Sequence, residues 1–308
     1  MKSFRVALAC LSALLLASCG VDEAALARQV GERHLSALLF QPSLAGWGGA
    51  RLVEVRYVRS KDGLPWGRSP DAWWAKIVGP KGRTGHLAWE ANAEGHLLEF
   101  FVDEPKAFAT EDGMALGGVP AIQQFLVQTK DGPAASGCVP TAGVSLMEYW
   151  MKRGGAKWAG PKETSQQRVL RIRDRLRYRT IPDTYGFTDG RMALTGAFTE
   201  DLARNLYRDA NERGVLLSVG MSEFTFETLR REITLGRPTL ASCVVPVPQK
   251  PELTWGHEVV CVGWAVIGGR QYVGVIDNFF PVRNPGAIRW IAEDKFRELV
   301  VVAVIGGK

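Results

Sequence analysis

Histidine and cysteine are both scarce in this chain, and the scarcity narrows its chemistry. The histidines are His34, His86, His96 and His257, and no two cysteines have CxxC spacing. A zinc site would need ligands the chain scarcely possesses, so no metal and no other cofactor is expected. Of the five cysteines, Cys10 and Cys19 belong to the N-terminal stretch, leaving Cys138, Cys243 and Cys261. Three thiols cannot all pair within one chain, so at least one stays free even in an oxidising compartment. Charge of one sign is lacking too. A net +6, dispersed along the sequence, is too weak to argue for a nucleic-acid partner. The one basic run, "RVLRIRDRLRYR", carries Val169, Ile172 and Leu176 at helical spacing, which predicts arginines on an opposite, solvated face. Beyond the N-terminus there is no long hydrophobic run, and the length suits one large domain or two modest ones.

The opening "MKSFRVALACLSALLLASCG" has Lys2 and Arg5, an apolar stretch too short to span a bilayer comfortably, then small residues. That is the pattern of a secretory signal, to be left out of fold reasoning. Leu16-Ala17-Ser18-Cys19 resembles a bacterial lipobox. The resemblance implies cleavage before Cys19, lipid on its thiol and anchoring to a membrane of the bacterial cell envelope. Gly20, in place of an acid, points to the outer membrane.

Organisation follows as residues 1–19 (signal), 20–115 (a small α+β unit) and 116–308 (a larger α+β domain). In the first unit, residues 21–39 read as a helix with Ala25, Leu26, Val30, Leu35 and Leu38 as its apolar stripe. The strand-like runs "RLVEVRYV", "AWWAKIVG", "TGHLAWEA" and "HLLEFFVD" follow, with turns at Lys61-Asp62-Gly63 and Pro80-Lys81-Gly82. "KAFATEDGMALGGVP" reads as a linker. Residues 138–153 are almost wholly apolar, with Pro140 in the first turn and Gly154-Gly155 as the stop, which predicts a central buried helix. "SQQRVLRIRDRLRYR" and "TEDLARNLYRDANERG" read as amphipathic helices, and "TFETLRREITLGRP" as a short one capped by Thr225 and ended near Gly236. "TLASCVVP", "HEVVCVGWAVI" and "QYVGVIDNFF" are strand-like. A central helix before an antiparallel sheet is an α+β arrangement.

Cys138 stands where the small-residue loop "GPAASG" meets the apolar helix. A cysteine nucleophile needs a thiolate, a base and a group that orients the base. A helix N-terminus contributes at most about 1 kcal/mol toward a nearby negative charge, so an imidazolium beside the sulfur is the stronger contribution. The only histidine after residue 96 is His257, at the start of an apolar strand, and "YVGVIDNFFP" offers Asp277 and Asn278 as orienters. Cys243 and Cys261, embedded in strands, read as packing. Trp255 either walls a cleft or packs.

These segments resemble the papain-like cysteine peptidases, most nearly the bacteriocin-processing, double-glycine-type branch. "GCVPTA" looks like that branch's nucleophile motif, "ITLGRPTLASCVV" like its helix-Gly-x-Pro-strand segment, "GHEVVCVGW" like its histidine strand and "YVGVIDNFF" like its acid strand. The four lie in order over residues 118–298. The resemblance implies a papain-like fold, Cys138 as nucleophile, His257 as general base and acid, an acid-strand residue as orienter, and a peptide or protein substrate. It also implies a glutamine before the nucleophile that shares the oxyanion hole with the cysteine N–H. Gln128 is the candidate, although it lies ten residues upstream; Gln123 and Gln124 lie further away. The choice between Asp277 and Asn278 is one of register. A two-residue turn at Gly268-Gly269 would set Asn278 opposite Val259, on the face of His257, whereas a three- or five-residue loop would set Asp277 there. The resemblance favours Asp277. The hairpin "GRTGHLAWEANAEGHLLEFFVDEP" resembles the last strands of PepSY-like modules and of propeptides before some secreted cysteine peptidases. It implies an inhibitory or substrate-presenting contact of the N-terminal unit with the cleft. Two rival readings keep the same residues: a transglutaminase- or acyltransferase-like enzyme, and a catalytically inactive peptide-binding module.

Overall fold

The computed structural model describes residues 22–39, 46–58, 71–92, 94–102, 108–110, 112–130, 132–154, 158, 160, 162–181, 194–247, 250–278 and 287–305. The signal segment, Cys19 and the expected turn at 61–63 lie outside these residues. Helix α1 (Glu23–Leu39) starts at Asp22, whose carboxylate accepts from Ala24 N at 2.9 Å. Its buried stripe is Ala27, Gly31, Leu35 and Leu38, rotated from the sequence expectation, and Leu26 is exposed. The cause is Trp89, whose ring would lie 2.6 Å from a Cβ at Gly31, so the helix presents its flattest face to the tryptophan.

Strands β1 (Arg51–Val58), β2 (Ala72–Val78), β3 (Thr84–Glu90) and β4 (Leu97–Val102) form the expected antiparallel meander. The segment expected as a linker instead contains a hairpin, β5 (Phe108–Thr110) with β6 (Gly113–Ala115). A second small hairpin, β7 (Leu126–Thr129) with β8 (Gly132–Ala135), leads into α2 (Cys138–Gly154). Next come α3 (Ser165–Arg175), the pair β9 (Arg179–Ile181) and β10 (Leu194–Gly196), α4 (Thr199–Glu212), β11 (Leu217–Glu223) and α5 (Phe226–Thr234). Strands β12 (Thr239–Val247), β13 (Lys250–Ile267), β14 (Arg270–Ile276), β15 (Arg289–Ala292) and β16 (Phe296–Ile305) complete the chain. Thr225 caps α5 as expected, its hydroxyl accepting from Thr228 N at 3.1 Å.

The architecture is mixed α+β with antiparallel pairing. One sheet runs β1-β2-β3-β4-β15-β14-β13-β12-β16-β11, with β6 docked on β13. The N-terminal meander is therefore continuous with the later strands: β4 pairs with β15 through Phe100↔Trp290, and those two rings stack at 5.6 Å. Helix α2 packs between α4 and the sheet face bearing Leu240, Val260, Val262 and Ile276; α5 covers the opposite face, bearing Cys243, Val259, Cys261 and Val275. No described helix is long and apolar enough to cross a membrane.

Val169, Ile172 and Leu176 of the basic run are buried as expected. The arginines depart from the expectation of a solvated face. Arg168 and Arg171 are largely buried in ion pairs with Glu148, Glu163 and the fully buried Asp209. Carboxylates on α2 and α4, and Glu163 just before α3, draw them inward, because a buried charge is tolerated only when paired.

Candidate active site

Cys138 is the first residue of α2, and the chain before it is held at several points. Phe125 and Ser136 lie side by side: Ser136 N donates to Phe125 O at 2.8 Å, and Phe125 N donates to Ser136 Oγ at 3.1 Å. Gly137 adopts φ +97°, and a Cβ there would lie 1.9 Å from Tyr178 Oη. Only glycine satisfies both the left-handed backbone and that close approach. Tyr178 Oη donates to Ser136 O at 3.2 Å, and Thr141 Oγ1 donates to Gly137 O at 2.6 Å. The thiol is half-buried, at the end of a helix whose first N–H groups have no intrahelical acceptors.

His257 lies on β13 directly across from Cys243 on β12. Its partner is Asp277: His257 Nε2–H donates to Asp277 Oδ1 at 2.9 Å, and the Cys138 side chain is near enough to act on the charge of the ring. Burial acting alone would depress the imidazole pKa. The Asp277 charge and hydrogen bond, aided by the Cys138 side chain, outweigh it and push His257 from 6.5 up to about 10.

How Asp277 reaches this face resolves the register question in an unexpected way. The turn at Gly268-Gly269 is a two-residue one, with Ile267 opposite Arg270. Uninterrupted pairing from that turn would bring Asn278 opposite Val259. Between Cys261 and Gly263, however, β13 carries one extra residue, and beyond it Val260 pairs with Ile276. The next position then sets Asp277 beside Val259, on the face of His257. The carbonyl of Val262, the extra residue, accepts from Leu116 N at 2.8 Å, next to docked β6. Gly263 has no room for a Cβ, which would lie 2.9 Å from Met114 O and from the Trp290 ring.

Asn278 serves the scaffold. It is buried, and its Nδ2 donates to Cys138 O at 3.2 Å and Glu258 O at 3.0 Å, while its Oδ1 accepts from Gln124 Nε2 at 3.0 Å. Gln123 Nε2 donates to Asp277 O at 3.0 Å. Gln128 is not brought to this network: it lies exposed on β7, opposite Pro133. The β7–β8 hairpin is a detour in the chain, so the glutamines tied to the Asp277-Asn278 segment are the ones further upstream in sequence.

Burial, and then the nearby Asp277 charge, pushes the Cys243 thiol far up; burial does the same at Cys261. Both are neutral packing groups. Among the described residues no cluster of His, Cys, Asp and Glu is arranged to hold a metal ion. The side chain of Trp255 lies outside the described residues.

Sequence reasoning missed Arg289 on β15, which donates from Nη1 to Asp277 Oδ2 at 2.5 Å. A signal existed: an arginine inside the apolar run Ala287-Ile288-Arg289-Trp290-Ile291 demands a buried anion. A scan of protein-family models and a search of curated protein sequences return no match to this chain.

Proposed function

We propose that the chain is a papain-like cysteine peptidase. The observation that carries this reading is the linked set Asp277, His257 and Cys138 at the head of α2, with His257 holding its proton up to about 10. A protonated imidazole beside the sulfur favours the thiolate, which attacks the carbonyl carbon of a peptide bond. The Cys138 N–H, at the positive end of α2, donates to the oxyanion of the tetrahedral intermediate. His257 passes its proton to the departing amine, leaving an acyl thioester. It then takes a proton from water, which attacks the thioester and releases the acid, leaving the Cys138 thiolate beside the protonated imidazole as at the start. Asp277 keeps the ring in the tautomer that aims its other nitrogen at sulfur.

Lipid attachment at Cys19 and a place in the cell envelope, with a peptide or protein substrate met there, belong to the same proposal on the strength of the lipobox resemblance. The continuous sheet supports a structural duty for the N-terminal meander in place of a detachable inhibitory one.

The test is alkylation of the purified protein followed by peptide mapping. At about pH 6, well below the range in which an ordinary thiol ionises, Cys138 should react faster than an ordinary free thiol, and His257→Ala should abolish that advantage. Reaction of Cys138 in the intact protein no faster than that of an ordinary thiol would remove the enzymatic reading. Adding a primary amine to a peptide turnover assay separates hydrolysis from acyl transfer to amines.

A further inference from the structure

We propose that Arg289 is a positioning residue of this site, an inference that rests on the peptidase reading above. The two carboxylate oxygens of Asp277 are divided between two cationic partners. Oδ1 accepts from His257 at 2.9 Å, and Oδ2 accepts from Arg289 Nη1. All three side chains are shielded from water, with exposures of 7% for His257, 9% for Asp277 and 16% for Arg289. At such sites a charge interacts strongly with its neighbours, and an orienting carboxylate with one oxygen unheld could swing away from the imidazole. From Arg289 through Asp277 and His257 to Cys138 the signs alternate, so each charge lies beside its opposite.

The guanidinium is linked to the sulfur by way of Asp277 and His257, and the fold determines where it stands. Arg289 pairs with Val275 on β14, two residues before Asp277, so the two side chains share one face on neighbouring strands. On its other side β15 is paired to β4, with Arg289 opposite Phe101. The meander thus holds the strand that holds the arginine, placing the N-terminal unit in the support of the site.

A cation in this row favours the deprotonated form of every group near it. Removing it should move the whole pH profile of Cys138 reactivity upward, a change that a merely structural residue would not produce. The experiment compares iodoacetamide alkylation rates of the full chain and its Arg289→Met, Arg289→Gln and Arg289→Lys variants, with circular dichroism to establish folding. Met and Gln should each shift the profile up by about one pH unit, cutting the acid-side rate about tenfold, while Lys keeps the charge and should restore most of it. Folded Met or Gln variants whose profiles superimpose on that of the intact protein overturn the proposal. So does failure of both uncharged variants to fold, which would assign Arg289 to stability instead. An intact protein whose Cys138 reacts as an ordinary thiol defeats the peptidase reading itself, and is recognised before any variant is compared.

Discussion

Replacing Asp277 by Asn removes one charge while keeping the side chain's shape, and its consequences reach both stability and reactivity. In the intact protein His257 holds its proton up to about 10, against 6.5 for an ordinary imidazole, although burial pulls the other way. At about 1.4 kcal/mol per pH unit, that difference is of the order of 5 kcal/mol of imidazolium stabilisation. Because the folded-state value lies above the unfolded one, this stabilisation is fully present below 6.5 and is lost as the pH rises through about 10. In Asp277→Asn the carboxylate's contribution disappears and burial remains, so His257 should titrate near or below its ordinary value. The new amide also turns either its NH2 toward Arg289, donor against donor, or its NH2 toward His257 Nε2–H, with the same conflict. Urea unfolding at a series of pH values should show the intact protein losing stability from neutral to alkaline pH, by up to several kcal/mol. The variant should be less stable on the acid side and nearly flat across that window. NMR of the histidine ring protons, with only four histidines in the chain, reads the titration directly. An unchanged His257 titration in the variant, or a flat stability profile in the intact protein, would refute the electrostatic reasoning.

Gly137→Ala combines a positive φ with a Cβ 1.9 Å from Tyr178 Oη. A loss of about 2–4 kcal/mol is expected from backbone strain together with the displaced Tyr178 hydrogen bond, with slower Cys138 alkylation; a loss near zero by chemical denaturation would contradict the described loop. Phe100→Ala removes a fully buried ring stacked on Trp290 and edge-on to Tyr272. It should cost about 3–5 kcal/mol and should lower the unfolding midpoint of the whole chain in one cooperative step, whereas a separate early transition of the meander would argue against a shared core.

Several features of the fold were legible because they depend on short-range pattern. The apolar run after Gly137 read as a buried helix, Thr225 and Gly236 bracket α5 by local capping chemistry, and strand-like runs between turn signals marked β1 to β4 and β12 to β14. The pairing of His257 with an acid-strand residue was legible as a set of two candidates. Other features were hidden for a common reason: they depend on which segments meet. The stripe of α1 turned toward Gly31 because of Trp89, and the arginines of α3 were drawn inward by carboxylates from α2 and α4 and by Glu163. The presumed linker pairs as β6 because β13 offers it an edge. The β7–β8 detour leaves Gln128 outside and ties in Gln123 and Gln124.

By itself the sequence determined the head of α2, the scarcity of histidine that leaves His257 as the candidate base, and the α+β order of the elements. Those follow from composition and from periodicities of a few residues. Tertiary structure alone decided that Asp277, not Asn278, faces the imidazole, because a single extra residue in β13 shifts the pairing by one and exchanges the faces. It alone brought Arg289 to this particular carboxylate and tied β15 to the N-terminal meander, since an arginine in an apolar run calls for some buried anion but does not say which strand will lie beside it.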